Sequence, residues 1–268
     1  MFAAQAFASL FSSPAKTSSP SLASDHPTGG QAAHHAKPLF FTTPHHLKLT
    51  YFPIRGLAED IRLILEESGI AYESENISFH DWHEGGIKQQ RAADNPFGQM
   101  PILYVNKGEF ILSQSKAIIR FIARSTGLDG GDAYSAARCD QLAEGIADLR
   151  RQYATLAYDK EFAAKVGDFI NKTLVNSFTT IERVYDQNKT RYLLSQDRVS
   201  YADIMLFELV DQILALGQDA RSVVAKFDRI GEVYKSIAAR PRIAAYLASS
   251  RRVVAINGAS ASVGAFKA

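Results

Sequence analysis

The stretch from Gln99 to Ser115, reading Gln-Met-Pro-Ile-Leu-Tyr-Val-Asn-Lys-Gly-Glu-Phe-Ile-Leu-Ser-Gln-Ser, limits the folds open to this chain more than any other. Pro101 holds the residue before it extended, and the apolar run that follows suits a strand. Asn106-Lys107-Gly108 supplies a tight turn, and a second strand then returns to a serine that can open a helix. A hairpin running into a helix mouth sets strand backbone beside unpaired helical N–H groups. That geometry can hold a carboxylate or a phosphate.

The flanking sequence extends the pattern. Leu47 to Phe52 alternates like a strand and Pro53 ends it. Between Gly56 and Gly69, Ile61, Ile64 and Leu65 recur at helical spacing, with Gly69 as the stop signal. A second strand is expected near Ala71 to Phe79, then an irregular loop, the hairpin, and a helix from Ser115 to Thr126. The order β-α-β-loop-β-β-α is a unit of about 80 residues that resembles thioredoxin-like folds. After the glycine-rich joint Gly127 to Asp132, apolar residues keep helical steps through Ala136–Asp159, Glu161–Asp186, Tyr201–Leu216 and Gly231–Ala239, and strand signals cease. An all-α C-terminal domain is expected. Ser200-Tyr201-Ala202-Asp203 has the form of a capping box, with Asp in the place where Glu or Gln is more usual.

Composition narrows the partners. A formal charge of +2 in 268 residues supplies no concentrated basic face, so nucleic acid is not expected, and Arg150-Arg151 and Arg251-Arg252 read as solvated helix surface. No apolar run is long enough to span a membrane. Cys139 is the single cysteine, which excludes an intramolecular disulfide, a Cys-X-X-Cys pair and a cysteine-based zinc site, and suits a compartment that keeps thiols reduced. Residues 1–46 are rich in Ala, Ser, Pro and His, with Asp25 as their one acid and no Arg. They read as a disordered or targeting extension, with cytoplasmic residence expected and organellar import as the alternative. Five histidines, His26, His34, His35, His45 and His46, fall there without regular spacing or a carboxylate partner, so no metal site is expected. The tail from Arg251 has no clear period and is expected to be partly disordered.

Across about Leu47 to Gly258 the chain resembles the cytosolic glutathione S-transferases of the Tyr type, most closely the pi class and then the sigma class. The resemblance is carried by Tyr51-Phe52-Pro53-Ile54-Arg55-Gly56, Trp82-His83-Glu84-Gly85-Gly86-Ile87-Lys88, Gly98-Gln99-Met100-Pro101, Ser113-Gln114-Ser115, Asp148-Leu149-Arg150 and Ala239-Arg240-Pro241 through Ile256-Asn257-Gly258, in that order. It implies a thioredoxin-like glutathione-binding domain over residues 47–127, a helical domain over 133–258, a tail over 259–268, and a homodimer. Glutathione is the implied co-substrate, with no metal.

The resemblance also implies roles. Tyr51 is the catalytic residue, donating a hydrogen bond to the glutathione sulfur. Trp82, Lys88, Gln99, Met100, Pro101, Gln114, Ser115 and Asp148 bind glutathione: Lys88 and Trp82 at the glycyl end, Met100 through backbone pairing beside a cis Pro101, and Ser115 with its helix N-terminus at the γ-glutamyl carboxylate. Asp148 reaches across the dimer to the partner's bound glutathione. Phe97 is the aromatic key that plugs the neighbouring subunit. Phe52, Ile54, Tyr158 and Gly258 line the electrophile pocket, an apolar wall with one phenol.

Two departures stand out. Leu57 occupies the position where pi and sigma enzymes commonly carry an Arg, and about four extra residues precede Gly98 relative to the pi pattern. No cysteine lies in that loop, so thiol-based redox regulation is not expected. The expected function is conjugation of glutathione to small hydrophobic electrophiles. The alternatives are a sigma-like glutathione-dependent prostaglandin isomerase and a non-catalytic ligand-binding protein of the same fold.

Overall fold

The computed structural model describes residues 46–265. The extension expected over residues 1–46 therefore lies outside the described residues except for His46, whose carbonyl accepts the Asn106 N–H at 2.8 Å. Strand β1 (Leu47–Tyr51) leads through a turn to helix α1 (Glu59–Ser68), and β2 (Tyr72–Asn76) follows. The loop expected to be irregular holds two short helices, α2 (Phe79–His83) and α3 (Ile87–Gln90). The hairpin is β3 (Ile102–Val105) and β4 (Phe110–Ser113), joined by a 3-10 turn over Asn106–Gly108. Its three turn residues have φ of +50°, +61° and +103°, a conformation that Asn and Gly tolerate well. Helix α4 (Ser115–Thr126) closes the unit. Gly69 and Gly127 end α1 and α4 in the left-handed conformation, as their sequence positions predict.

The sheet order is β2-β1-β3-β4, with β1 and β2 parallel and the other pairs antiparallel. Register fixes what meets at one end. Thr50 pairs with Ile102, Ile102 with Ser113, and Tyr51 with Asn76. The end of β1 therefore faces the Met100-Pro101 entry to β3, the exit of β4 toward α4, and the exit of β2 toward α2.

The rest is helical: α5 (Ala133–Ala157), α6 (Phe162–Asp168), a π turn over Phe169–Leu174 that runs on into α7 (Val175–Asn188), then α8 (Tyr201–Leu214), α9 (Gln218–Val224), α10 (Asp228–Ala238) and α11 (Pro241–Leu247). Helix α8 is buried nearly all round and packs against α1, α5, α9 and α10, as a helix at the centre of a core must. Its start is the capping box: Ser200 Oγ accepts the Asp203 N–H, and Asp203 Oδ2 accepts the Ser200 N–H at 2.8 Å. None of the helices among the described residues is long and apolar enough to cross a membrane.

The seam between α1 and the helical half is charged rather than oily. Arg55 reaches Glu208 on α8 with two nitrogens and also Asp211 at 2.7 Å. Arg62 pairs with Glu59 at 3.0 Å, and Tyr246 of α11 donates its hydroxyl to Glu59 at 3.1 Å. Arg150 of α5 grips both oxygens of Asp60. The expectation that Arg150 is solvated surface is thus corrected. It is buried and neutralised by a carboxylate 90 positions away, whereas Arg151 beside it is exposed. Burial pushes the Asp60 carboxyl up to about 6 against the pull of Arg150, and lifts Glu59 likewise to about 6, with Glu208 adding repulsion.

The described part of the tail, up to Ala265, is also held. Ala255 and Ile256 carbonyls accept the N–H groups of Arg55 (2.7 Å) and Gly56 (3.0 Å), and the Gly264 carbonyl accepts those of Ile256 (2.9 Å) and Asn257 (2.8 Å). A segment without hydrophobic period is ordered here through backbone bonds to the turn after β1.

Candidate functional site

Tyr51 ends β1 and its ring is buried at 6% exposure. Its hydroxyl oxygen accepts the Leu57 N–H at 3.1 Å, which leaves the phenolic proton for another acceptor. Only a residue without Cβ fits the turn: a Cβ on Gly56 would lie 2.6 Å from the Tyr51 oxygen, and Gly56 has φ +42°. Burial raises the Tyr51 pKa, more than the Leu57 N–H and the nearby Arg62 lower it. At neutral pH the side chain is a phenol that donates, not a base.

Facing Tyr51 across the register, the Met100-Pro101 peptide is cis, as the resemblance implies. The side chains of Gln99 and Gln114 meet, with Gln114 Nε2 at 3.4 Å from Gln99 Oε1. The helix mouth differs in one respect from the sequence expectation. Gln114, not Ser115, is the N-cap, its side chain makes no cap bond, and Ser115 is the first helical residue. Gln114 takes φ +72°, a strained backbone for a residue with a Cβ, of the kind that clusters at functional sites.

Trp82 is buried on α2 at 2% exposure. Lys88 on α3 lays its stem across Gly98: a Cβ there would meet Lys88 Cε at 3.0 Å. Lys88 thereby comes beside Gln99 despite the longer loop between them. Two residues that the sequence reading did not single out hold that loop. Asn95 donates to the Gln99 carbonyl at 2.7 Å, and its own carbonyl accepts the Gly98 N–H at 3.0 Å. Arg91 donates to Glu75 on β2 (2.9 Å) and to the Tyr104 hydroxyl on β3 (2.8 Å), which ties the loop to the sheet.

Asp148 and Phe97 are not drawn into this cluster within one chain. Asp148 is exposed on α5 and paired with Arg151 at 2.9 Å. Phe97 is 63% exposed in the loop before Gly98. Leu57, where an Arg was expected by resemblance, is half-exposed beside the Tyr51 hydroxyl and contributes only its backbone N–H.

The four residues expected to line an apolar pocket are partly brought together. Tyr158 ends α5 and its oxygen accepts the Gly258 N–H at 2.7 Å. Phe52 stacks on Phe79 of α2, with centroids 4.1 Å apart and planes 10° from parallel, and Phe79 reaches the Gly258 backbone. Ile54 is buried at the turn. Phe79 was missed because it stood at the end of the expected second strand, whereas β2 stops at Asn76 and Phe79 opens α2.

A phenol with a free proton at the end of β1, facing an X-cis-Pro strand entry and a helix mouth, within a thioredoxin-like half joined to an all-helical half, defines the glutathione transferase fold. The comparisons agree. Residues 47–124 match the family model described as the glutathione S-transferase N-terminal domain and residues 147–250 that of the C-terminal domain. The chain is 36% identical over 203 residues to glutathione S-transferase P of Caenorhabditis elegans, covering 75% of this chain and 91% of the relative. It is 31% identical over 214 residues to the Homo sapiens protein of that name, covering 78% and 96%. The solved pi-class glutathione S-transferase of Onchocerca volvulus superposes with a TM-score of 0.67 at 31% identity, covering 75% of this chain and 91% of that one. The chain belongs to the glutathione S-transferase family.

Proposed function

We propose that the protein conjugates glutathione to small hydrophobic electrophiles, with Tyr51 stabilising the glutathione thiolate. The observation that carries this reading is the Tyr51 hydroxyl: buried, protonated at neutral pH, and with its proton uncommitted beside cis Pro101. The Met100 backbone pairs with the cysteinyl part of the peptide in strand fashion, which sets the sulfur against that proton. Gln114, Ser115 and the start of α4 take the γ-glutamyl carboxylate, with Gln99 alongside. Lys88 and Trp82 take the glycyl end. Phe52, Ile54, Tyr158 and Gly258 face the electrophile. The relatives named glutathione S-transferase P favour the pi-like reaction over the sigma-like isomerase. The deciding experiment is retention on immobilised glutathione together with turnover of chlorodinitrobenzene or a short enal. Retention without turnover of either would favour a ligand carrier, and product analysis with a prostaglandin endoperoxide would expose an isomerase.

The working unit is a homodimer of the cytoplasm, in which Asp148 leaves Arg151 to meet the partner's glutathione and Phe97 inserts into the neighbouring subunit. An aromatic ring 63% exposed in a loop suits that role. Sedimentation at micromolar concentration is expected to give a dimer, and Phe97→Ala to shift it toward monomer. A monomer from wild type would overturn the assignment.

Arg91 positions the loop that carries Lys88 and Gln99, because its two bonds fix that loop to β2 and β3. Arg91→Met is expected to raise KM for glutathione about three- to fivefold while kcat at saturating glutathione holds, the size expected for partly exposed charge-assisted bonds. Equal KM values in variant and wild type would remove the role.

A further inference from the structure

The wall assigned to the electrophile contains a residue with no role so far. Phe79 lies flat on Phe52 at a centroid distance of 4.1 Å, and its ring edge is 3.3 Å from where a Cβ on Gly258 would stand. The Tyr158 oxygen is equally 3.3 Å from that point. Phe79 thus spans the gap between Phe52 on one side and the Gly258–Tyr158 pair on the other. A flat ring slipped between two others needs their planes about 7 Å apart, twice the ~3.5 Å contact distance of carbon atoms. With centroids 4.1 Å apart, Phe52 and Phe79 leave no such slot between them. His83, one turn along α2, also lies near-parallel to Phe52, at 6.3 Å and 18°.

Phe79 also cannot move away with its helix at little cost. It lies between two buried anchors, Ile77 at 6% exposure and Trp82 at 2%, and the Ser78 side chain caps α2 by accepting the Asp81 N–H at 3.0 Å. Clearing the gap would require Phe79 to change rotamer and lose its stacking on Phe52.

We propose that Phe79 closes the electrophile pocket against ring-bearing molecules and so sets the preference of the enzyme for short, unbranched electrophiles, with α,β-unsaturated aldehydes as the substrate class. The proposal rests on the transferase reading above. The polar group of the wall fits such a substrate: the Tyr158 oxygen is occupied by the Gly258 N–H, so its proton is free to meet a carbonyl oxygen. In the reaction the glutathione thiolate forms a C–S bond at the β-carbon and the C=C π pair moves toward the carbonyl as an enolate. The α-carbon then takes a proton from solvent. Nothing is oxidised, and glutathione is the only co-reactant.

The test compares kcat/KM for hexenal and for chlorodinitrobenzene in wild type, Phe79→Ala and Phe79→Leu, with KM for glutathione and the melting temperature measured on each. The ratio of the ring electrophile to the enal is expected to rise about tenfold or more in Phe79→Ala, with a smaller rise in Phe79→Leu, while KM for glutathione stays near the wild-type value. A ratio that is unchanged in both variants overturns the gate and leaves the transferase reading standing. Wild type that binds glutathione but turns over neither compound overturns the transferase reading and the gate with it.

Discussion

Tyr51→Phe is expected to raise the pKa of glutathione bound to the enzyme by about two units and to cut turnover near neutral pH by about 25-fold, the ratio of the two thiolate fractions. A free thiol near pKa 8.5 is roughly 3% ionised at pH 7, and lowering it by two units makes most of it thiolate. That shift corresponds to about 2.7 kcal/mol of preference for the anion, within reach of a short O–H···S⁻ bond in a partly dry site. Tyr51 can supply it because burial keeps its proton on and the Leu57 N–H occupies the oxygen lone pair without competing for the proton. With Leu57 offering no guanidinium, more of the stabilisation falls to this one hydroxyl. Thiolate absorbance of the binary complex, titrated with pH in wild type and variant, measures the effect. Superimposable titrations would mean that the sulfur is stabilised elsewhere. Phenylalanine keeps the ring that packs in the turn, so the melting temperature should change little.

The parts of this molecule that were legible in its sequence are those whose signal is local. β1 shows itself by alternation and a terminal proline, the hairpin by its turn residues, α1 and α4 by a glycine after the last apolar step, and α8 by Ser200 and Asp203. Helices α2 and α3 escaped because five and four residues hold less than a full hydrophobic repeat, and α2 is anchored mainly by Trp82. α9 has seven residues, and only Ala220, Val223 and Val224 of them are buried. The candidate polar site follows the same rule. Gln99, Met100, Pro101, Gln114 and Ser115 lie on one continuous stretch, whereas the loop contacts of Arg91 and the stacking of Phe79 on Phe52 exist only once distant segments meet. Arg55, Asp60, Arg150 and Glu208 are the extreme case. Each reads as ordinary surface charge, because neutralisation across 90 or 153 positions leaves no mark on local composition.

That charged seam carries the largest stability effect expected of a single substitution. Arg150→Met keeps the apolar stem of the side chain and removes the guanidinium, leaving the Asp60 carboxylate buried at 2% exposure without its partner. Removing one member of a buried pair costs about 3–5 kcal/mol, which for a chain of this size lowers the melting temperature by about 10 °C. The pH dependence separates this cause from lost packing. In wild type the Asp60 carboxyl is raised to about 6 by burial and by Glu208, against the pull of Arg150 and Arg55, compared with an ordinary value of 3.8. A carboxyl raised on folding binds its proton more tightly in the native state, so its contribution is greatest at acid pH and declines as pH rises toward the folded value. Without Arg150 the folded value is higher still, and the decline continues above pH 6, where that of wild type has levelled off. The deficit of Arg150→Met should therefore widen between pH 6 and 8 and shrink toward pH 5, read from melting temperatures across that range. A deficit independent of pH would assign the loss to packing alone. Adding Asp60→Leu removes the stranded charge, so the double variant is expected to recover much of the stability that Arg150→Met loses, which is the outcome that distinguishes an unpaired ion from a hole.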